Sequence, residues 1–229
     1  MTGPAESSLF ALIDSRLSAG RPLTLAIDGC CAAGKTTLAR RLQEKYGCPV
    51  FHADDYFLQP YQRTPERLAQ PGGNMDRERL LQEVLLPLSR GEDVICRRFD
   101  CSTMTLQPPV RIPYVPFQVV EGTYCMHPEL ASYYSASVFL RISDAAQRRR
   151  ILSRCPPEQA QKDGFLRDAA LRTKFTPDAA QVPDDEIVGF FRAAEGALAD
   201  KQGLEFVTPD GFSPEKLFLL FLAWTNEDT

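Results

Sequence analysis

The sequence predicts an α/β fold, a mostly parallel sheet covered by helices on both faces, and three observations predict it. Apolar, strand-like runs alternate with amphipathic helical segments along the chain. The first such pair, residues 23–42, reads strand, glycine-bounded loop, helix. The core of that stretch, Gly29-Cys30-Cys31-Ala32-Ala33-Gly34-Lys35-Thr36, fits the phosphate-loop pattern G-x-x-x-x-G-K-[ST] at every fixed position.

Each element follows from its residues. Leu9, Leu12, Ile13 and Leu17 stand at helical spacing over 6–19 and stop at Gly20. The phosphate loop follows the first strand, and Gly29 and Gly34 supply the dihedrals that let successive N–H groups point inward at phosphate oxygens. Lys35 is placed to reach the β- and γ-phosphates of ATP and the Thr36 hydroxyl to ligate Mg²⁺, with Thr37 next in the helix whose positive end faces the nucleotide. Leu38, Leu42 and Tyr46 line one face of that helix until Gly47 and Pro49 end it. Residues 49–53 form a second strand, expected beside the first, that delivers Asp54 and Asp55 at its carboxyl end, where open α/β sheets bind ligands.

Residues 58–74, with three prolines and Gly72-Gly73, read as an exposed connection with little regular structure. A helix over 76–89 turns Leu80, Leu81, Val84, Leu85 and Leu88 inward. Residues 91–116 read as a β-hairpin standing off the main sheet, and 117–120 as a buried parallel strand ending in Glu121-Gly122. Further strands at 137–142 and 204–207 and helices at 144–154, 185–199 and 214–225 complete the alternation, with a lid expected over about 150–185. The 229 residues, 44% hydrophobic, form one domain.

Composition narrows the function. A net charge of −4 without a long basic run gives no sign of nucleic-acid or membrane binding. No stretch approaches the about eighteen apolar residues of a membrane span, and Glu6, Asp14 and Arg16 stand where a signal peptide needs an apolar run, so the chain is expected to be cytoplasmic. Seven cysteines without a C-x-x-C pair suggest buried hydrophobes rather than a disulfide frame or a zinc site.

A GTPase would carry N-K-x-D, which is absent, and a large ATPase a strand ending in Asp-Glu, where this chain has Glu121-Gly122. A small-metabolite kinase needs a cradle, Mg²⁺, a base and cations over the transferring group. Asp54 is the candidate base, with a loop-capping role as its bland alternative. Glu121 is the candidate carboxylate behind Mg²⁺, directly or through water, against an ordinary strand-end Glu. Arg150 and Arg154, four apart on one helix face, suit a lid that covers phosphates, against a plain solvated helix. Phe99-Asp100 and Asn74-Met75-Asp76 flank the acceptor region. Tyr124 and His127 could line it too, although His127 before Pro128 reads better as a helix start.

The phosphate loop IDGCCAAGKTT, then HADDYF, PGGNMD, RRFDCSTMTL and VVEGTYCMHPEL, in this order, resemble the phosphoribulokinase–uridine kinase family of phosphate-loop kinases over roughly residues 20–155. The resemblance implies a three-layer α/β/α arrangement with a five-stranded parallel sheet, a small hairpin subdomain and often a homo-oligomer. It implies Asp54 as the base toward a nucleoside 5′-hydroxyl, Tyr56, Phe99 and Asp100 as nucleoside contacts, and Arg150 and Arg154 as lid arginines. The chain departs from that family at Ser102-Thr103-Met104-Thr105, where the pyrimidine-reading His is missing, and from Cys155 onward. The expected activity is transfer of the ATP γ-phosphoryl group to a hydroxyl of a small molecule, a nucleoside first. Pantothenate, a sugar, or a regulatory role that holds ATP without transfer remain open.

Overall fold

The structure, a computed structural model, describes residues 4–29, 31–70, 72–141, 149–153 and 220–223. Helix α1 (Pro4–Ser18) leads into β1 (Leu23–Gly29), the phosphate loop and α2 (Lys35–Tyr46). Strand β2 (Val50–His52) passes into a one-turn 3₁₀ helix, Ala53–Asp55, and a connection carrying α3 (Pro65–Leu68). A helical run follows: α4 (Arg77–Leu80), a π turn (Leu81–Leu85) and α5 (Leu86–Ser89). Four short strands, β3 (Val94–Cys96), β4 (Phe99–Asp100), β5 (Thr105–Leu106) and β6 (Val110–Ile112), precede β7 (Phe117–Glu121), α6 (Pro128–Ala131), β8 (Ala136–Arg141) and β9 (Leu220–Ala223).

The central sheet is five-stranded, ordered β2-β7-β1-β8-β9, and every pairing in it is parallel. Alternation along β1 serves both faces. Leu23, Leu25 and Ile27 join Leu9, Ile13, Leu38 and Leu42 under α1 and α2, while Ala26 turns to the opposite core with Leu80, Val84, Leu85 and Leu130. Leu9 and Ile13 are essentially inaccessible, each worth about 1.5–3 kcal/mol of burial. Helix α2 ends as expected: Gly47 is left-handed at φ 65° and its N–H returns to the Gln43 carbonyl.

The hairpin of residues 91–116 is present in two pieces, β3 against β6 and β4 against β5, both antiparallel and off the main sheet. The helix over 76–89 is present with the expected inward leucines, but it widens into a π turn. Pro87 has no N–H and its ring crowds the carbonyl four residues back, and the Leu86 N–H bonds instead to the Leu81 carbonyl.

Several sequence expectations need correction. β2 does not lie beside β1; β7 is inserted between them. The extended backbone of the second strand stops at His52, because Ala53–Asp55 curl into the 3₁₀ turn. The connection 58–74 holds more structure than its prolines suggest: a 3₁₀ turn at Pro60–Gln62, α3 capped by the Thr64 hydroxyl, and a bridge from Phe57 to Met75. Residues 220–223, expected within a terminal helix, form parallel strand β9 on the edge of the sheet beside β8. A short apolar run such as Leu-Phe-Leu-Ala does not distinguish the two by periodicity. The strand expected at 204–207, the helix at 185–199, Arg154 and nearly all of the lid lie outside the described residues. Among the described residues no helix is long and apolar enough to cross a membrane.

Candidate functional site

The carboxyl ends of β1, β7 and β2 open side by side, and each delivers one part of the site. At the end of β1, Gly29 has φ 142° and sits against Leu140 so closely that a Cβ would lie 2.2 Å from the Leu140 carbonyl oxygen. Only glycine fits that approach. The loop then turns through Ala32, left-handed at φ 59°, and Ala33, fully buried. It reaches Gly34, which caps α2 in a left-handed conformation with no side chain closing the cap. The first N–H groups of this twelve-residue helix are thus left to the loop's concave side, as a phosphate site requires. Cys31 and Thr37 are half-buried at the loop's two ends, and Cys30 lies outside the described residues.

Lys35 Nζ donates to the Gly29 carbonyl at 2.9 Å, folding the ammonium back over the loop. Thr36 Oγ1 donates to Glu121 Oε1 at 3.1 Å, which joins a hydroxyl in the first turn of α2 to a buried carboxylate at the end of β7. That pair is the donor set Mg²⁺ accepts, a hydroxyl and one or two carboxylates with water completing the shell, so the residues fit the ion the motif implies. Arg150 Nη1 donates to the Ala32 carbonyl at 3.2 Å, which places this arginine on the rim of the phosphate loop.

Sequence reasoning missed two residues here. Asp28, fully buried at the end of β1, accepts from the Gly29 N–H at 2.6 Å and from the Tyr124 and Met126 N–H groups at 3.1 Å each. It ties the loop after β7 to the phosphate loop. Burial pushes its carboxyl up to about 6 against the pull of those N–H groups and of Lys35. A charged residue inside an otherwise apolar strand was the available signal. His52 is the other: its Nδ1 lies 2.6 Å from Glu121 Oε1, and that hydrogen bond raises its pKa above the ordinary 6.5.

Asp54 is exposed on the 3₁₀ turn at the end of β2, one strand beyond Glu121. Asp55 beside it pairs with Arg98 of the hairpin, Oδ2 to Nε 3.3 Å. Burial raises the Asp55 carboxyl. The Tyr56 ring is buried under the Arg79 guanidinium, whose carbon stands 4.4 Å from the ring centre. Phe99 is buried at the hairpin root with Arg63 5.9 Å above its ring. Asp100 Oδ1 accepts from the Ser102 N–H and hydroxyl, at 2.8 and 2.6 Å, which holds its carboxyl below the ordinary value and commits it to the hairpin tip. His127 proves to be a helix-start residue: Nδ1 accepts from the Glu129 N–H at 3.2 Å, and burial lowers its pKa to about 4. Tyr124, left-handed at φ 67°, packs so close to Gly72 that a Cβ there would lie 2.8 Å from its ring, which seals the loop after β7 against the Gly72-Gly73 connection.

No family model and no curated protein matches the chain. Solved structures do. A candidate fructose transport system kinase from Silicibacter sp. TM1040 matches with TM-score 0.56 and 21% identity over 85% of this chain and 95% of that one. D-glycerate 3-kinase from Cryptococcus neoformans var. grubii serotype A matches with TM-score 0.52 and 13% identity over 77% and 90%. A possible uridine kinase from Bacillus stearothermophilus gives TM-score 0.47 and 18% identity over 85% and 94%. The likeness to the first two is one of fold, and the chain is built on the same phosphate-loop α/β framework as those kinases.

Proposed function

We propose that the chain is an ATP- and Mg²⁺-dependent kinase that transfers the γ-phosphoryl group to a hydroxyl of a small metabolite, a nucleoside first. The observation that carries this reading is the contact of Thr36 with Glu121 beside a Lys35-closed phosphate loop, with Asp54 one strand further along the same sheet edge. A protein that only held nucleotide would need no base at Asp54.

In this reading the loop N–H groups, Lys35 and Arg150 hold the phosphates, and Thr36 and Glu121 hold the ion. The bound ion supplies neutralisation of charge on the transferring group. Asp54 accepts the acceptor hydroxyl's proton, its exposure leaving it open to a substrate. Tyr56 and Phe99 form the floor and hairpin wall of the acceptor site, and Asp100 fixes the hairpin tip beside it. That last contact favours a second reading. With Asp100 occupied by Ser102 and no His at the tip, an acceptor other than a pyrimidine nucleoside, a sugar or a hydroxy acid, suits the site as well. The two fold neighbours, named for fructose transport and for glycerate, are consistent with that breadth.

The test is coupled ADP release with ATP and Mg²⁺ over a panel of nucleosides, pantothenate, sugars and hydroxy acids, beside Asp54→Asn. One acceptor should stimulate turnover, and Asp54→Asn should lower it at least about 10²-fold, within the range of a single base's contribution, while ATP still binds. Background ADP release with every acceptor, unchanged by Asp54→Asn, would move the regulatory reading ahead.

A further inference from the structure

Asp54 stands on a single 3₁₀ turn that ends with the Tyr56 N–H bonded to the Ala53 carbonyl at 2.9 Å. So short a turn does not hold a side chain in place by itself. What braces it is Arg79, on α4, with a side chain only 7% exposed. Its Nη2 donates to the Asp55 carbonyl at 3.1 Å, its Nη1 donates to the Arg97 carbonyl at the hairpin root, and its Nε donates to Asp76 Oδ2 at 3.2 Å. Glu83, one turn on, stands 3.7 Å from Nη1 and takes the Arg97 N–H and Nε, each at 2.9 Å. One planar guanidinium therefore bonds the turn that carries the base, the hairpin that walls the acceptor site, and the helix behind both.

We propose that Arg79 is a positioning residue that locks the Ala53–Asp55 turn to the hairpin root, so that the aim of Asp54 and the closure of the acceptor site are set together. The role rests on the kinase reading for its chemistry but not for its geometry. A buried ion pair serving stability alone would need only Asp76 and Glu83. The two backbone carbonyls, from segments about forty residues apart in the chain, are what a stability pair does not require.

Arg79→Lys keeps the charge over the Tyr56 ring but replaces the fork with one point that cannot serve Asp76, Asp55 and Arg97 together. Hydrogen–deuterium exchange on the full chain should show residues 53–57 and 97–106 exchanging at least about tenfold faster, the worth of one charge-assisted hydrogen bond. The amides of β1 and β7 should be unchanged. With an acceptor that the wild type turns over, kcat should fall about 10²-fold while the KM for ATP holds. Unchanged exchange at 53–57, or faster exchange throughout β1 and β7, would overturn the proposal. If Arg79→Lys does not fold, Glu83→Gln decides: the base turn and the hairpin should loosen together, and loosening of the hairpin alone would refute the coupling. Should Asp54→Asn keep full turnover, the base assignment falls, and the exchange pattern of Arg79→Lys still decides the lock by itself.

Discussion

Replacing Asp28 with asparagine keeps the shape of the side chain and removes its charge, which makes the pH dependence of the change a direct reading of the buried carboxyl. In the folded chain its pKa is raised from the ordinary 3.8 to about 6. The folded state therefore binds the proton more tightly than the unfolded one, and stability falls as pH rises through that window. In full the effect is about 3 kcal/mol, and between pH 7 and pH 5 the wild type gains about 1 kcal/mol of it. The Asp28→Asn variant gains nothing over the same range. At pH 7 two effects oppose: the variant is relieved of the buried charge, and its amide turns a donor toward the N–H of Met126, or toward Gly29 and Tyr124, at a cost of about 1–3 kcal/mol. The variant is thus close to the wild type at pH 7 and falls behind it by about a further 1 kcal/mol at pH 5. Urea denaturation at the two pH values measures this, and because other groups titrate alike in both proteins their contributions cancel in the difference. A gap that stays constant or closes on acidification would refute the placement of a buried, proton-avid carboxyl at the end of β1.

Three further outcomes follow from the same geometry. His127→Asn keeps a capping acceptor for the Glu129 N–H but removes a group held near pKa 4 in the folded state against an ordinary 6.5. Acidifying from pH 7 to pH 5 should cost the wild type about 2 kcal/mol that the variant retains, the opposite sign from Asp28, and equal losses in both would show that His127 is not buried as a neutral ring. Gly122→Ala puts a Cβ 2.5 Å from that of Ala53 at a backbone φ of 148°, so the base turn must move; acceptor-stimulated turnover should fall about 10²-fold with ATP affinity held, and parallel loss of ATP binding in calorimetry would contradict this. Arg40 and Glu44 are 69% and 68% exposed at i, i+4, and Glu44→Ala should change the unfolding free energy by less than about 0.5 kcal/mol.

What the sequence made legible was what local pattern controls. The phosphate loop needs its glycines and lysine at fixed spacing, α2 stops where Gly47 permits a left-handed residue, and the short apolar runs of β1 and β7, each ending at a glycine, read as buried strands. The order of strands was not legible, because nothing in residues 49–53 records that β7 will insert between β2 and β1 after the chain has made a helical run and a hairpin. The buried charges were hidden for a related reason. Asp76, Arg79 and Glu83 recur at i, i+3 and i+7, a helical stripe beside the leucines, yet such a stripe reads as solvated until the hairpin is known to fold onto it. His52 escaped notice because its partner, Glu121, comes from a strand sixty-nine residues on.

That inserted strand also ties the parts of the candidate site to one another. β7 places Glu121 between the phosphate loop and the base turn, and its register against β1 and β2 pairs the same residue, Glu121, with Ile27 and with His52. From this one position the carboxylate reaches Thr36 on one side and His52 on the other. The next residue, Gly122, gives its N–H to the Ile27 carbonyl and leaves no room beside Ala53. The phosphate loop is further tied to the β7 loop through Asp28 and through the Thr123 hydroxyl on the Gly29 carbonyl. The base turn is tied on its far side by Arg79. Spacing between the phosphate loop and the Ala53–Asp55 turn is therefore set by sheet geometry, about 4.8 Å per strand, while the hairpin beyond its Arg79-held root stands off the main sheet. In the proposed kinase such a framework holds the phosphate-loop side constant and leaves the hairpin residues past the Arg97 carbonyl, 98–106, as the place where acceptor range can change. Substitutions there should change which acceptor is used before they change whether ATP is bound.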